Sequence, residues 1–181
     1  MKTRQNLQLI TEKNLDVYLD LRYATKNNFT NEKIYQKKRC YLVQSAFEHL
    51  TLACEIASKI GYRLKIFDAY RPQSAQKLLW EIFPNPSFIT PPTKGSPHSR
   101  GVAVDLTLVD KKGYEIDMGT EFDEFSKLSF HGAKQISKIA FKNRLILLGI
   151  MTTAGWDYYK NEWWHYQLFD SKKFPLRNES L

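Results

Sequence analysis

Cysteine is scarce in this chain of 181 residues: there are two, Cys40 and Cys54. Both fall within one helical pattern, fourteen positions apart, a separation no disulfide can bridge along a straight helix. They read as free thiols, which suits a reducing compartment. No apolar run is long enough to cross a membrane. Met1 to Asn6 leads into no apolar stretch of signal-peptide length. A cytoplasmic protein is the default expectation, although a chain whose leader had been removed would read the same way. Acidic residues are also few, 19 against 27 lysines and arginines, giving a net charge of +8. Such an excess suits a nucleic-acid or membrane partner only when it is gathered on one face. Here it is scattered, with Lys37-Lys38-Arg39 as the lone triplet and no nucleic-acid-binding signature beside it. A solvated lysine-rich surface is the better reading, with neither nucleic acid nor membrane as partner. Repeats and low-complexity tracts are absent. With 43% apolar and 25% charged residues, the chain reads as one folded domain over residues 1–181, with a sizeable core and a polar, loosely held tail from about 170.

Several elements are legible. Residues 7–29 hold short extended pieces and the dense segment Leu21 to Phe29, in which Tyr23 and Phe29 flank an Asn-Asn turn, either as core anchors or as pocket lining. From about Ile34 to Ile60 apolar residues recur at helical spacing, with Gly61 as the stop. Tyr62 to Tyr70 alternates as a half-buried strand and ends at Arg71-Pro72, where proline holds Arg71 extended. A short helix follows over 73–83. Pro84 to Pro97 carries five prolines and reads as an ordered loop. Val102 to Val109 is the clearest strand. Its even positions face the core, while Ala103, Asp105 and Thr107 share the other face, small residues around one carboxylate. A turn at 110–113 returns the chain through 114–117 as a hairpin. An irregular acidic segment over 118–125 leads to a second helix, expected from His131 to Leu148 with Gly149 as its stop. Residues 154–169 are aromatic and strand-like.

Four histidines are present. His49 reads as a flanking residue of the long helix, and His131 as a surface or capping residue near a helix start. His98 and His165 each stand at the edge of an expected strand. In Ser96-Pro-His98-Ser-Arg-Gly101-Val-Ala-Val-Asp105, a turn at Gly101 followed by a strand would let His98 and Asp105 hold one metal ion, with His165 as third ligand. Zinc accepts imidazole nitrogen and carboxylate oxygen, and its catalytic sites use three protein ligands and a water. Glu162 stands three residues before His165. In a strict strand the two would face opposite sides, so the chain must bend between Asn161 and Trp163 for Glu162 to serve as base to a metal-bound water. Arg71, held at a strand end, could stabilise negative charge on a carbonyl oxygen. Each residue also has an ordinary reading: a core histidine, a carboxylate accepting loop N–H groups, a glutamate in a polar turn, a surface arginine. The residues alone leave the metal reading and the structural one level.

The segments just named, together with Leu21-Arg22-Tyr23-Ala24-Thr25, Asp68-Ala69-Tyr70-Arg71-Pro72, Asp117-Met118-Gly119-Thr120-x-Phe122-Asp123 and Glu162-Trp163-Trp164-His165, resemble the D-alanyl-D-alanine dipeptidases. These form the VanX-like branch of a zinc peptidase family, M15, that also contains D,D-carboxypeptidases. The resemblance runs in order from residue 21 to residue 168. It implies that His98, Asp105 and His165 bind one zinc ion, that Glu162 is the catalytic base, that Arg71 stabilises the transition state, and that Asp123, Ser96 and Tyr23 receive the amino end of a dipeptide. The expected fold is a single α+β domain, helices on a mainly antiparallel sheet with zinc at one end. The expected activity is hydrolysis of free D-Ala-D-Ala. The alternatives are a D,D-carboxypeptidase acting on longer peptidoglycan peptides and a non-catalytic zinc or peptidoglycan-fragment-binding module.

Overall fold

The structure, a computed structural model, describes residues 5–181, so the reading of the first four residues lies outside it. The domain is mixed α+β. Strands β1 (Leu7–Ile10) and β3 (Cys40–Val43) form a small antiparallel sheet. The main sheet has five strands in the order β2-β4-β5-β7-β6, from β2 (Val17–Leu19), β4 (Arg63–Asp68), β5 (Ala103–Val109), β7 (His165–Leu168) and β6 (Trp156–Tyr158). Only the β2–β4 pair is parallel. Helices α1 (Gln44–Lys59) and α3 (Lys138–Thr153) pack on each other, α1 also on β4 and α3 on β6; α2 (Gln73–Ile82) follows β4.

Strand β5 is the centre. All seven of its residues are buried, because β4 and β7 flank it and both of its faces are covered. Val104, Leu106 and Leu108 lie in one core with Ala46, Leu50, Ala53 and Ala57 of α1. Asp105 and Thr107 lie on the opposite face. The hairpin after β5 is present as a bridge between Val109 and Glu115.

The register fixes the site. Asp105 pairs with His165 on β7 and with Asp68 on β4. Directly paired residues point to the same face, so Asp68, Asp105 and His165 form one row across three strands. Asp68 reaches that row through a bulge. Ile66 pairs with Leu106 and Asp68 with Asp105, leaving Phe67 as the extra residue. Without it Asp68 would share the core face of Leu64 and Ile66; the added residue re-aims the carboxylate.

Three expectations are corrected. The helical pattern from Ile34 begins as a helix only at Gln44. Cys40 to Val43 is extended instead, because its backbone groups pair with Leu7 to Ile10, a long-range partner that local spacing does not reveal. Cys40 therefore lies on a strand and Cys54 on α1; both are buried free thiols. The second helix starts at Lys138, where the Ser137 hydroxyl accepts from the Ala140 N–H, and runs through Gly149 to Thr153. It stops where Gly155, at φ 88°, supplies the left-handed turn. The tail is held: Arg177 and Leu181 are buried, the Arg177 N–H donates to Ser99 O, and the Gln73 N–H donates to Arg177 O. No helix among the described residues is long and apolar enough to cross a membrane.

Candidate metal centre and active site

The turn expected at Gly101 is present. His98 to Arg100 form a single 3-10 turn, and Gly101 closes it at φ 73°, ψ 25°, a conformation that favours glycine. A Cβ there would also press on Val43 Cγ1 at 3.1 Å. This turn drops His98 beside the start of β5. The chain also bends as required before β7: the Glu162 N–H donates to Tyr159 O, the His165 N–H to Glu162 O, and the Trp163 N–H to Ser129 O. The bend sets Glu162 and His165 in the same cavity.

His98, Asp105 and His165 converge. One ligand atom from each lies within 4.8 Å of the others, and all three residues are buried. His98 Nε2 is 3.1 Å from His165 Nδ1. Asp105 Oδ2 lies 3.3 Å from His98 Nε2, and Oδ1 lies 3.0 Å from His165 Nδ1. The outer nitrogens explain what this cluster is for. His98 Nδ1 lies 2.7 Å from Ala69 O, which can only accept, so the neutral ring carries its proton there. His165 Nε2 lies 3.1 Å from Gln167 Oε1. The inner nitrogens, His98 Nε2 and His165 Nδ1, and the Asp105 carboxylate converge on one point, three ligand atoms set as a bound cation would require. Outward donation to a fixed oxygen is also how metal-binding imidazoles are oriented. These residues fit a metal ion.

The charge around the cluster is sorted. Burial works against ionisation of Asp105, but His98 and His165 outweigh it and hold its carboxyl well below the usual range. Glu162 behaves in the opposite way: burial, then the charges of Asp105 and Asp123, push it well above the usual carboxylate value. Its Oε2 stands 3.9 Å from His165 Nδ1. Asp123 is pushed up to about 8, chiefly by burial and by Asp105. Its carboxylate accepts from the Tyr23 hydroxyl at 2.9 Å, and its backbone is held at φ 63°. Tyr23 is both things its sequence context allowed, since it is buried and lines the cavity.

Arg71 is 5% exposed and held by three hydrogen bonds. Nε and Nη2 donate to Asp68 Oδ2 at 2.9 and 2.7 Å, and Nη1 donates to Gln76 Oε1 at 2.9 Å. Asp68 also accepts from the Tyr35 hydroxyl at 2.7 Å. Sequence reasoning quoted Asp68 without giving it a role and missed Gln76 and Gln167 altogether. The bulge that aims Asp68 is invisible in the sequence, and a glutamine carries no signal of its partner. Ser96 is buried at the cavity wall, where its Oγ accepts from the His98 N–H.

All eight expected site residues line one cavity of about 260 Å³. Its roof is the proline-rich loop, through Pro86, Phe88, Ile89 and Thr90. The Tyr159 hydroxyl and Asn161 Nδ2 both donate to Ser87 O, at 3.1 and 3.3 Å, and tie this roof to the β6–β7 loop. The other two histidines stand apart: His49 Nδ1 lies 2.7 Å from Ala154 O, and His131, in a loop rather than at a helix start, is pushed down to about 4 by burial and Arg144.

Residues 4–179 match the model of peptidase family M15, described as D-ala-D-ala dipeptidase. This chain belongs to that family. It is 42% identical to the D-alanyl-D-alanine dipeptidase of Escherichia coli (strain K12), across 89% of this chain and 83% of that protein. It is 36% identical to the enzyme of the same name from Enterococcus faecalis (strain ATCC 700802 / V583), across 83% and 85%. The solved structure of the LdcB LD-carboxypeptidase shares the fold, with a TM-score of 0.55 at 18% identity, over 95% of this chain and 72% of that one. As a family M15 peptidase, the chain places its candidate metal ligands at the end of the central strands and its candidate base beside them.

Proposed function

We propose that this single domain hydrolyses the free dipeptide D-Ala-D-Ala with one zinc ion held by His98, Asp105 and His165. The observation that carries the reading is the convergence of two imidazole nitrogens and the Asp105 carboxylate beside a protonatable Glu162 in a small, roofed cavity. When bound, zinc lowers the pKa of a water molecule and polarises the scissile carbonyl. Glu162 accepts the proton of the attacking water and returns it to the leaving amine nitrogen, the transfer for which a raised carboxyl pKa is suited. Arg71, clamped by Asp68 and Gln76, donates to the carbonyl oxygen as negative charge builds on it. Asp123, with Tyr23 and Ser96 nearby, receives the substrate's ammonium group. An arriving ammonium favours the ionised form of a carboxyl that otherwise keeps its proton near neutral pH.

The names of the curated relatives support this substrate. So does the cavity's small size, about 260 Å³, with Phe88 and Phe125 in ring contact in a lining that also holds Asp123. A carboxypeptidase for longer peptides needs the Asp123 end open, and a binding module has no use for Glu162 and Arg71 in the same space. The test is zinc analysis of the purified protein with turnover measured on free D-Ala-D-Ala and on its N-acetyl derivative. The expected result is about one zinc per chain and hydrolysis confined to the free dipeptide. Glu162→Ala should keep its zinc and lose turnover by about 10² to 10⁴-fold. Faster cleavage of the acetylated peptide would establish the carboxypeptidase, and zinc binding without hydrolysis of either would establish the binding module.

A further inference from the structure

Gln76 lies in the first turn of α2, where side chains lean back toward the helix start and therefore toward Arg71. It is 2% exposed, an unusual place for an amide, and both ends of that amide are used. Oε1 accepts from Arg71 Nη1 at 2.9 Å, and Nε2 donates to Thr90 O at 2.8 Å. Thr90 belongs to the roof of the cavity and lines it beside Ile89. One side chain thus joins the guanidinium to the loop that covers the substrate.

We propose that Gln76 is a positioning residue that sets the plane of the Arg71 guanidinium and links it to closure of the roof, so that the oxyanion donor and the cover over the substrate are held as one unit. The inference rests on the dipeptidase reading above. Its physical basis is the geometry of the other two bonds. Nε and Nη2 of Arg71 share a single acceptor, Asp68 Oδ2. A fork closed on one oxygen leaves the guanidinium free to tilt about that atom; the third bond, at Nη1, limits the tilt, alongside the Tyr23 ring 5.0 Å from Cζ and Asp105 Oδ2 3.6 Å from Nη2. N–H groups remain on Nη1 and Nη2 of Arg71, which lines the cavity. The roof has a second tie, at Ser87, from the β6–β7 loop. Gln76 is a separate tie, at Thr90, and it reaches Arg71, the proposed oxyanion donor.

The amide is needed for its two-sidedness, and this makes the inference separable by substitution. Glutamate at 76 keeps an acceptor for Arg71 but offers only acceptors to Thr90 O, so the roof bond is lost and the arginine bond stays. Methionine has similar length and neither capability. Gln76→Met should lower kcat on D-Ala-D-Ala by about 10²-fold, the scale of a misplaced catalytic group. Gln76→Glu should restore kcat close to wild type and raise KM about tenfold, the loss of one buried hydrogen bond. Zinc content and melting temperature are measured on both. Two readouts are independent of turnover: exchange of the Arg71 Nε–H by nitrogen-15 NMR, expected to quicken in Gln76→Met only, and limited proteolysis within residues 84–97, expected to rise in both. Wild-type kcat in Gln76→Met would overturn the inference, as would equal loss of kcat in both variants or Arg71 exchange that no variant changes. A wild-type protein that fails to cleave the dipeptide would instead sink the substrate reading, leaving the exchange and proteolysis results to decide the role of Gln76.

Discussion

The two walls of the cavity are built by different means. The metal wall is made of backbone register. Asp105 and His165 face each other because β5 and β7 pair at those residues, and His98 joins them across a one-turn loop closed by Gly101. The substrate wall is made of side chains. Arg71 is set by Asp68 and Gln76, Asp123 by Tyr23, and the roof by Tyr159, Asn161 and Gln76. Charge follows the same division. The carboxyl on the metal wall, Asp105, is held ionised by its histidines, whereas Glu162 and Asp123, which line the same cavity, are pushed toward keeping their protons. A wall made from strand pairing can hold three ligands closely with little contribution from other side chains. A wall made from side-chain bonds can be adjusted residue by residue, and the proposed function puts the specificity of the site there.

The sharpest way to break this comparison is to remove a ligand. His165→Ala should abolish both zinc retention and turnover, by metal analysis after dialysis and by dipeptide assay, while the fold survives because β7 keeps its backbone pairing. Asp123→Asn should do the reverse. It should leave zinc content intact and lower kcat/KM by about 10²-fold, the cost of losing a charged partner for the ammonium. Equal loss of metal in both variants would erase the distinction between the walls.

A smaller effect concerns stability of the metal-free protein against pH. The folded-state value of Asp123 is raised to about 8, above its ordinary unfolded value near 3.9. Between those two values the folded chain binds a proton that the unfolded chain has released, so stability is greatest at the acid end and declines as pH rises toward 8. Thermal unfolding of metal-free protein should therefore show a melting temperature lower at pH 8 than at pH 5. Asp123→Asn should flatten that slope, and a slope unchanged in the variant would remove Asp123 as its source. The smallest effect is expected at the roof. Tyr159→Phe loses its bond to Ser87 O but leaves the Asn161 bond, which predicts a rise in KM of a few-fold, about 1 kcal/mol or less, with kcat unchanged.

The metal wall was largely legible in advance because its signals are local. A histidine, a glycine and a carboxylate at fixed spacing, followed by strict alternation over Val102 to Val109, imply a turn and a strand with Asp105 on the open face. Glu162 and His165 were legible as a requirement, since three-residue spacing in a strand demands the bend found at Tyr159 to His165. Two element boundaries were not, for reasons that lie elsewhere in the chain. Cys40 to Val43 continues a helical spacing yet is extended because Leu7 to Ile10 pairs with it. The tail reads as polar and loose, yet Arg177 is buried between Ser99 and Gln73.

The sequence by itself determined the central strand, because short-range period carries that information, and named His98, Asp105, His165, Glu162 and Arg71 as candidates; their roles and the α+β class came from the resemblance to the dipeptidases. Tertiary structure alone decided which way Asp68 points. Position parity puts it on the core face with Leu64 and Ile66, and one bulged residue, Phe67, turns it to the site, where it holds Arg71. It alone decided also that Gln76 meets both Arg71 and Thr90, residues 5 and 14 positions away on opposite sides. Facing and contact of this kind depend on register between segments distant in sequence, and register is a property of the assembled sheet.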